Sequence, residues 1–344
     1  MSIMKIVAFD AHTASEDVRR GVHEALVDME RDWIPEEPPP PYEENLATWL
    51  AAGGSHRKDQ RWVALDGSEV LGTAHLATWS DHADSGLIQV AVRNEHRRKG
   101  VGRQLMLAAL DGLEAEGRSK VIVDIPTGAP IERAAERLGL KRVFSERVSQ
   151  LRVSDIDWGL MDSWIARASD RASEYRLLSM RPPLPESQME NWCRISDAMN
   201  TAPMEEFDLE DRQMTPDQWR SIETHLESRG YDLHALAAVH EPTGDFAGMT
   251  TLHYLRHNPT LAHQGDTVVA VEHRNRGLGR LLKAAMVKEF LAEHPDVERI
   301  DTGNAGSNEP MLAINIEMGF QTILQLSAWQ GTISAARKAL STRP

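Results

Sequence analysis

An eleven-residue pattern occurs twice in this chain. Residues 95–105 read EHRRKGVGRQL and residues 272–282 read EHRNRGLGRLL. The shared form is E-H-R-x-x-G-x-G-R-x-L, and the copies lie 177 residues apart, 97 to 274, in a chain of 344. A repeat at half-chain spacing points to two copies of one domain, whereas solenoid repeats recur every 20–50 residues or so.

The flanks of the two copies agree. Upstream lie GLIQVAV and DTVVAV, short β-branched runs that predict strands. Downstream lie RQLMLAALDGLEAEG and RLLKAAMVKEFLAEH, whose apolar residues recur at three- and four-residue spacing and predict amphipathic helices. Each helix meets another apolar run, KVIVDI or VERIDT, and then a helix closing on Gly139 or Gly319. Both halves therefore end strand–turn–helix–strand–helix–strand. Each also carries an earlier hairpin, turning at Asp66-Gly67 in the first half and at Pro242-Thr243-Gly244 in the second. Thr215-Pro216-Asp217-Gln218 predicts a boxed helix start. The charged stretch between the halves sets the domain boundaries at 1–160 and 172–344, with 161–171 a linker helix.

Charge narrows the partners. The chain carries 38 Lys+Arg against 52 Asp+Glu, a formal −14, and a cut after Asp170 leaves −7 on each side. No basic arm hides behind the total, so neither a nucleic-acid surface nor a polybasic membrane anchor is expected. A single cysteine, Cys193, excludes an intrachain disulfide and a multi-cysteine zinc site. No apolar run approaches the length of a membrane span, and the expected location is the cytoplasm.

A strand entering R-x-x-G-x-G and then a helix aims several free backbone N–H groups at one spot, and glycine lets an anion approach the main chain. Arg97, Arg98, Lys99, Arg103, Arg274, Arg276 and Arg280 add local positive charge. The physical reading is a pyrophosphate cradle. No Lys-Ser/Thr follows the glycines, as a P-loop requires. The third glycine of a dinucleotide fingerprint is also missing. A purely structural glycine turn is the remaining alternative, and duplication in one context weighs against it.

On these residues the chain resembles the GNAT N-acetyltransferases, as a tandem member. Arg97–Gly102 and Arg274–Gly279 match that family's acetyl-CoA motif, Q/R-x-x-G-x-G/A. The resemblance implies an α/β (α+β) chain of two GNAT-like domains, each a mixed, mostly antiparallel twisted sheet flanked by helices. It implies that the backbone of Val92 and Val269, at a strand bulge, holds the acetyl thioester, with Val271 adjoining. It assigns the pyrophosphate to Arg98, Lys99, Gly100, Val101, Gly102 and Arg103, and to Asn275, Arg276, Gly277, Leu278, Gly279 and Arg280.

GNAT domains place an Asn eleven residues before the Gly of a terminal Gly-Phe, and a Tyr four before it. The second copy has Asn308 and Asn315 there, with Asn304 nearby; the first has Gly128 and Ala135. The second copy thus keeps more of the cofactor apparatus and is expected to be the catalytic one, the first degenerate. The Tyr that would protonate the departing thiolate is missing from both. Counting back from Val269 as the resemblance directs, His263 and Asp266 are the candidate bases, and their counterparts Gly86 and Gln89 cannot serve.

The implied activity is direct acetyl transfer from acetyl-CoA to a small-molecule amine, without a metal, in a monomer or homodimer. Two alternatives remain: a non-catalytic acyl-CoA-binding protein, and an enzyme similar to mycothiol synthase. The acidic run 205–211 is either a solvated loop or an attractor for a cationic amine. Cys193 is expected to pack a helix rather than carry an acyl group. His253 and His257 leave a strand and are not expected to form a metal pair.

Overall fold

The computed structural model describes residues 4–51, 57–80, 82–171, 173–202, 205–206, 211 and 213–341. The chain forms two compact units. Unit 1 comprises Met1–Glu146, Glu205–Glu210 and Leu324–Pro344; unit 2 comprises Arg147–Met204 and Asp211–Ile323.

In unit 1, β1 (Lys5–Ala8) is followed by helices α1 (Glu16–Trp33) and α2 (Tyr42–Leu50). The hairpin β2 (Arg57–Asp66) and β3 (Glu69–Trp79) turns where Asp66-Gly67 predicts it. Then come β4 (Ser85–Val92), α3 (Val101–Ala115), β5 (Lys120–Pro126) and α4 (Glu132–Arg137). β6 (Lys141–Arg152) contributes its first half to unit 1 and its second half to unit 2. Unit 2 continues with α5 (Trp158–Arg171), β7 (Tyr175–Met180), α6 (Glu186–Asp197) and α7 (Pro216–Ser228). The hairpin β8 (Tyr231–His240) and β9 (Phe246–Leu255) leads to β10 (Asn258–Val269), α8 (Leu278–Glu293), β11 (Arg299–Ala305) and α9 (Glu309–Met318). β12 (Gln321–Thr332) and α10 (Ile333–Ser341) close the chain.

Strands in unit 1 run β1-β2-β3-β4-β5-β12, then the start of β6; in unit 2 they run from the end of β6 through β11-β10-β9-β8-β7. β4 with β5 and β10 with β11 pair in parallel, whereas the hairpin ladders β2–β3, β3–β4, β8–β9 and β9–β10 are antiparallel. The alternation of strand residues then builds two cores per sheet, one on each face. In unit 1, Leu76, Ile88, Val121 and Val123 pack on Leu105, Leu110 and Leu113 of α3, while Ala91 packs on Ala25 and Met29 of α1. In unit 2, Leu236, Leu252 and Ala262 pack on Leu282, Val287 and Phe290 of α8. Ala235, Ala237 and Met249 take the other face, against Trp192 of α6 and Trp219 of α7. Cys193 lies in that second core, as a packing residue. The Thr215 capping box forms, with Gln218 N–H donating to Thr215 Oγ1 at 3.3 Å and Gln218 Oε1 accepting from Thr215 N–H at 2.9 Å.

Two sequence expectations about domains are corrected. Residues 161–171 are no linker: α5 spans Trp158–Arg171, and its Met161 and Trp164 are buried in the unit 2 core beside Met286, Val287 and Phe290. Nor do the units end at 160 and 172. Most of β12 belongs to unit 1, where Leu326–Thr332 pair antiparallel with Pro126–Lys120 of β5. The second half of β6 belongs to unit 2, where Gln150 Nε2 donates to Asp301 of β11 at 2.9 Å. Edge pairing depends on which ladder is open rather than on which strand is near in sequence, so each half cedes its last strand segment. No described helix is long and apolar enough to cross a membrane.

Candidate active site

The two motif loops have the same backbone. Arg98 and Asn275, at equivalent positions, both hold φ 63°, and Gly100 and Gly277 hold φ 85° and 83° as the N-caps of α3 and α8. A left-handed residue costs glycine little and a side chain more, which fixes the first glycine of each motif. A Cβ at Gly100 or Gly277 would meet nothing within 4 Å, so this backbone faces open space. The first helical bonds run from Gln104 N–H to Gly100 O at 3.2 Å and from Leu281 N–H to Gly277 O at 3.0 Å. The N–H groups of Val101, Gly102 and Arg103, and of Leu278, Gly279 and Arg280, precede them and are left for an anion.

Each loop follows a strand that splits from its neighbour. β4 pairs with β5 only through Ser85, Gly86 and Leu87, yet stays on β3 to Val92. β10 pairs with β11 only from Leu261 to Gln264, yet stays on β9 to Val269. Residues 88–92 and 265–269 therefore run on past their parallel partner, outside that ladder. The strand opposite carries Gly72 or Gly248, where a Cβ would press on Ala91 O at 2.6 Å or Val268 O at 2.9 Å. Both glycines let the paired strands run close together there.

The bulge lies elsewhere than expected. In β10 the register slips between Gln264 and Thr267, whereas Leu87–Val92 of β4 pair with β3 without a slip. Because of that slip, Ala262 faces the α8 core and Val268 the α6–α7 core, the opposite of plain alternation. A buried network sits at the slip: Gln264 Nε2 donates to Thr250 Oγ1 at 2.9 Å, and the Thr250 and Thr267 hydroxyls meet at 2.7 Å. Gln264 Oε1 is buried without a partner.

Several arginines assigned to the cradle by sequence are engaged by protein. Arg97 Nε donates to Val92 O at 3.1 Å and Arg274 Nε to Val269 O at 3.0 Å, fastening each loop to the end of its strand. Arg97 also pairs with Asp32 of α1, and Arg274 reaches Thr201. Arg103 donates to Leu340 O at 2.7 Å, and Arg280 holds Glu317 of α9 through two bonds at 3.0 and 2.7 Å. These four residues position the loops. Arg98, Lys99, Asn275 and Arg276 remain exposed beside the glycines. Val271 starts a 3-10 turn past the strand and is 59% exposed.

His263 lies on β10 opposite His253 of β9 and in register with Asp301 of β11. The two imidazoles stack at 5.5 Å, on the face where Leu233 enters the α6–α7 core. Burial, followed by the Arg229 charge, pushes the His263 pKa down to about 4, so the ring is neutral near pH 7. Asp266 stands in the register slip. Asn308, expected to touch cofactor, caps α9, accepting from Met311 N–H at 3.4 Å. Asn315, in place of the family's Tyr, is buried and donates to Asn304 Oδ1.

Sequence reasoning missed two groups. Tyr175, from β7, bonds His273 Nδ1 at 2.8 Å, with Arg276 over its ring and His240 beside both, so an aromatic cluster backs the second loop. Its members come from three separate elements, and no local pattern reveals it. In unit 1, Gly86 and Gln89 replace His263 and Asp266, but Asp124 stands on β5 beyond the last paired residue. Burial pushes its pKa up to about 6, and Glu146 of β6 is raised by burial and by Asp124. Of the acidic run, Asp208 and Glu210 lie outside the described residues, and Glu206 N–H bonds Val143 O at 3.1 Å in unit 1.

The model of the acetyltransferase (GNAT) family matches residues 22–144 and 195–320, well over half the chain. No curated protein matches. Among solved structures, the chain is similar to a tandem GNAT protein from the clavulanic acid biosynthesis pathway, solved without AcCoA. That likeness has TM-score 0.78 and 23% identity, over 96% of this chain and 99% of the other. It is also similar to a GCN5-related N-acetyltransferase from Sphaerobacter thermophilus (TM-score 0.69, 13% identity, 96% of each chain). A glucosamine N-acetyltransferase region of a fungal multi-domain GH3 β-N-acetylglucosaminidase gives TM-score 0.65 at 15% identity, over 96% of this chain and 38% of the other. At such identities these structures speak for the fold alone. With one family match on each copy of the loop–helix cradle, the chain belongs to the acetyltransferase (GNAT) family, as a tandem two-domain member.

Proposed function

We propose that the protein is an N-acetyltransferase that takes its acetyl group from acetyl-CoA and passes it to a small, cationic amine, mainly in unit 2. The observation that carries this reading is the left-handed glycine cradle at the mouth of a splayed strand, formed twice from one motif. The cradle suits a pyrophosphate: the first N–H groups of the helix precede its first intrahelical bond, and a Cβ at Gly277 would stand in open space beside them.

Bound acetyl-CoA would supply an activated thioester. The backbone of residues 265–269 supplies polar groups at the cleft apex, suited to steadying developing negative charge on a carbonyl oxygen. His263, held neutral, and Asp266, in the slip, are the groups of unit 2 able to take a proton from the amine. Asn304, whose Oδ1 accepts from Asn315, is the further amide this reading assigns to the cofactor.

One observation favours a second reading, non-catalytic acyl-CoA binding: Asn315 is buried and bonded to Asn304, so no acid occupies the family's Tyr position. Calorimetric titration of acetyl-CoA into wild type, Gly100→Val and Gly277→Val separates the readings. A β-branched side chain at these left-handed positions is expected to abolish binding in its own cradle. Loss of binding in Gly277→Val together with loss of acetylation across an amine panel supports catalysis in unit 2. Binding without acetylation of any amine favours the second reading, and no binding in wild type ends both.

A further inference from the structure

The far end of α8 carries a group of side chains that acetyl transfer does not use. α8 runs 16 residues from the cradle, about 24 Å at 1.5 Å per residue. It ends on Glu293, with His294 as its C-cap. His234 of β8 comes up beside them. His234 is 2% exposed, and its Nε2 lies 3.0 Å from Nε2 of His294. One ligand atom from each of His234, Glu293 and His294 falls within 4.8 Å of the others. Phe290 and Tyr254 wall the group, their rings each 4.5 Å from the His294 ring.

Two imidazole nitrogens pointed at each other satisfy one bond at most, and only if the rings adopt opposite tautomers. A dication between them uses both lone pairs. Tetrahedral zinc with ligand bonds near 2.0–2.1 Å spaces its ligands about 3.3 Å apart, so an opening of a few tenths of an ångström suffices. Glu293 gives Oε1 to Arg181 at 2.8 Å, and its Oε2 has no hydrogen bond among the described residues. The last carbonyls of α8 carry the negative end of the helix dipole, which favours a cation at this end.

We propose that His234, His294 and Glu293 form a binding site for a first-row transition-metal dication, zinc by donor type, that ties the end of α8 to β8. Two imidazoles and one carboxylate match zinc's nitrogen and oxygen preferences and leave a position for water. This proposal departs from the sequence expectation of no metal. His234 and His294 stand 60 residues apart, and no ligand spacing announces them.

Untagged protein, stripped with chelator, is titrated with Co2+ and followed by visible absorption and by Tm. One equivalent is expected to bind with the strong absorption of a tetrahedral site and to raise Tm. His294→Ala is expected to weaken binding at least about tenfold. Glu293→Gln, at an exposed position, tests the carboxylate where loss of a histidine disturbs folding. His96→Ala, in the exposed Glu69–Glu95–His96 group, is expected to change nothing. No binding by folded wild type, undiminished binding in both His294→Ala and Glu293→Gln, or loss of binding in His96→Ala would each overturn the proposal.

Discussion

The two units use the same loop and different clefts. Both cradles share a φ near 63° before a left-handed glycine near 84°, an arginine fastened to the last strand carbonyl, and a parallel ladder that stops before the strand does. Behind the cradle they diverge. Unit 2 lines its apex with Gln264, Thr250 and Thr267, and sets His263 beside Asp301, whose carboxylate accepts from Gln150. Unit 1 has Gly86 in the His263 position, and its counterpart aspartate, Asp124, has no cation against it among the described residues. Loop geometry is enforced locally by glycine and arginine, so it persists in both copies. Cleft chemistry depends on single side chains from several strands and drifts freely.

The largest test of this comparison asks whether the units stand alone. Trp192, fully buried on α6 and 5.3 Å from Trp219, anchors a core whose members all lie in unit 2. Trp192→Ala is expected to cost about 3–5 kcal/mol. Scanning calorimetry should then show unit 2 melting well before unit 1. A single unshifted transition would contradict separate cores. Trp192 Nε1 is buried without a partner, so Trp192→Phe should cost much less.

A second test sharpens the catalytic contrast. His263→Gln is expected to lower turnover about a hundredfold with little change in KM for acetyl-CoA. Its counterpart Gly86 is closely walled by Leu113 and Thr78 and offers no such group. Unchanged turnover in His263→Gln would move the base to Asp266 or to water.

The smallest effect reports on unit 1. Folded Asp124 holds its proton more tightly than an unfolded aspartate, with a pKa raised from 3.8 to about 6 by burial. Its contribution to stability is full below pH 4 or so and is lost as the pH rises through about 6, a change of about 3 kcal/mol in all, roughly half of it between pH 5 and pH 8. Thermal melts at pH 5 and pH 8 should show unit 1 losing stability at the higher pH, and Asp124→Asn should flatten that dependence. A slope unchanged in the variant would place the burden on Glu146.

Much of the fold was legible in sequence because its signals are local. The hairpin turns, the Thr215 box, and the order strand–helix–strand–helix–strand each arise from residues within a few positions of one another. The cradle glycines were legible for the same reason. The partners of the arginines were not legible, because residue type announces charge but not its partner: Arg103 meets Leu340 and Arg280 meets Glu317, contacts no spacing rule contains. Asn308 was matched to a cofactor contact by position, and its capping of a helix-end N–H three residues on went unread.

By itself, then, the sequence determined a duplicated α/β domain and two glycine loops that each start a helix, since glycine's left-handed backbone and helix starts are decided within a turn of chain. Tertiary structure alone decided that β12 completes unit 1 and the end of β6 enters unit 2, because an open sheet edge accepts whichever strand reaches it. It alone set Asp124 near Glu146 and His234 against His294, pairs whose chemistry exists only once distant segments exclude water together.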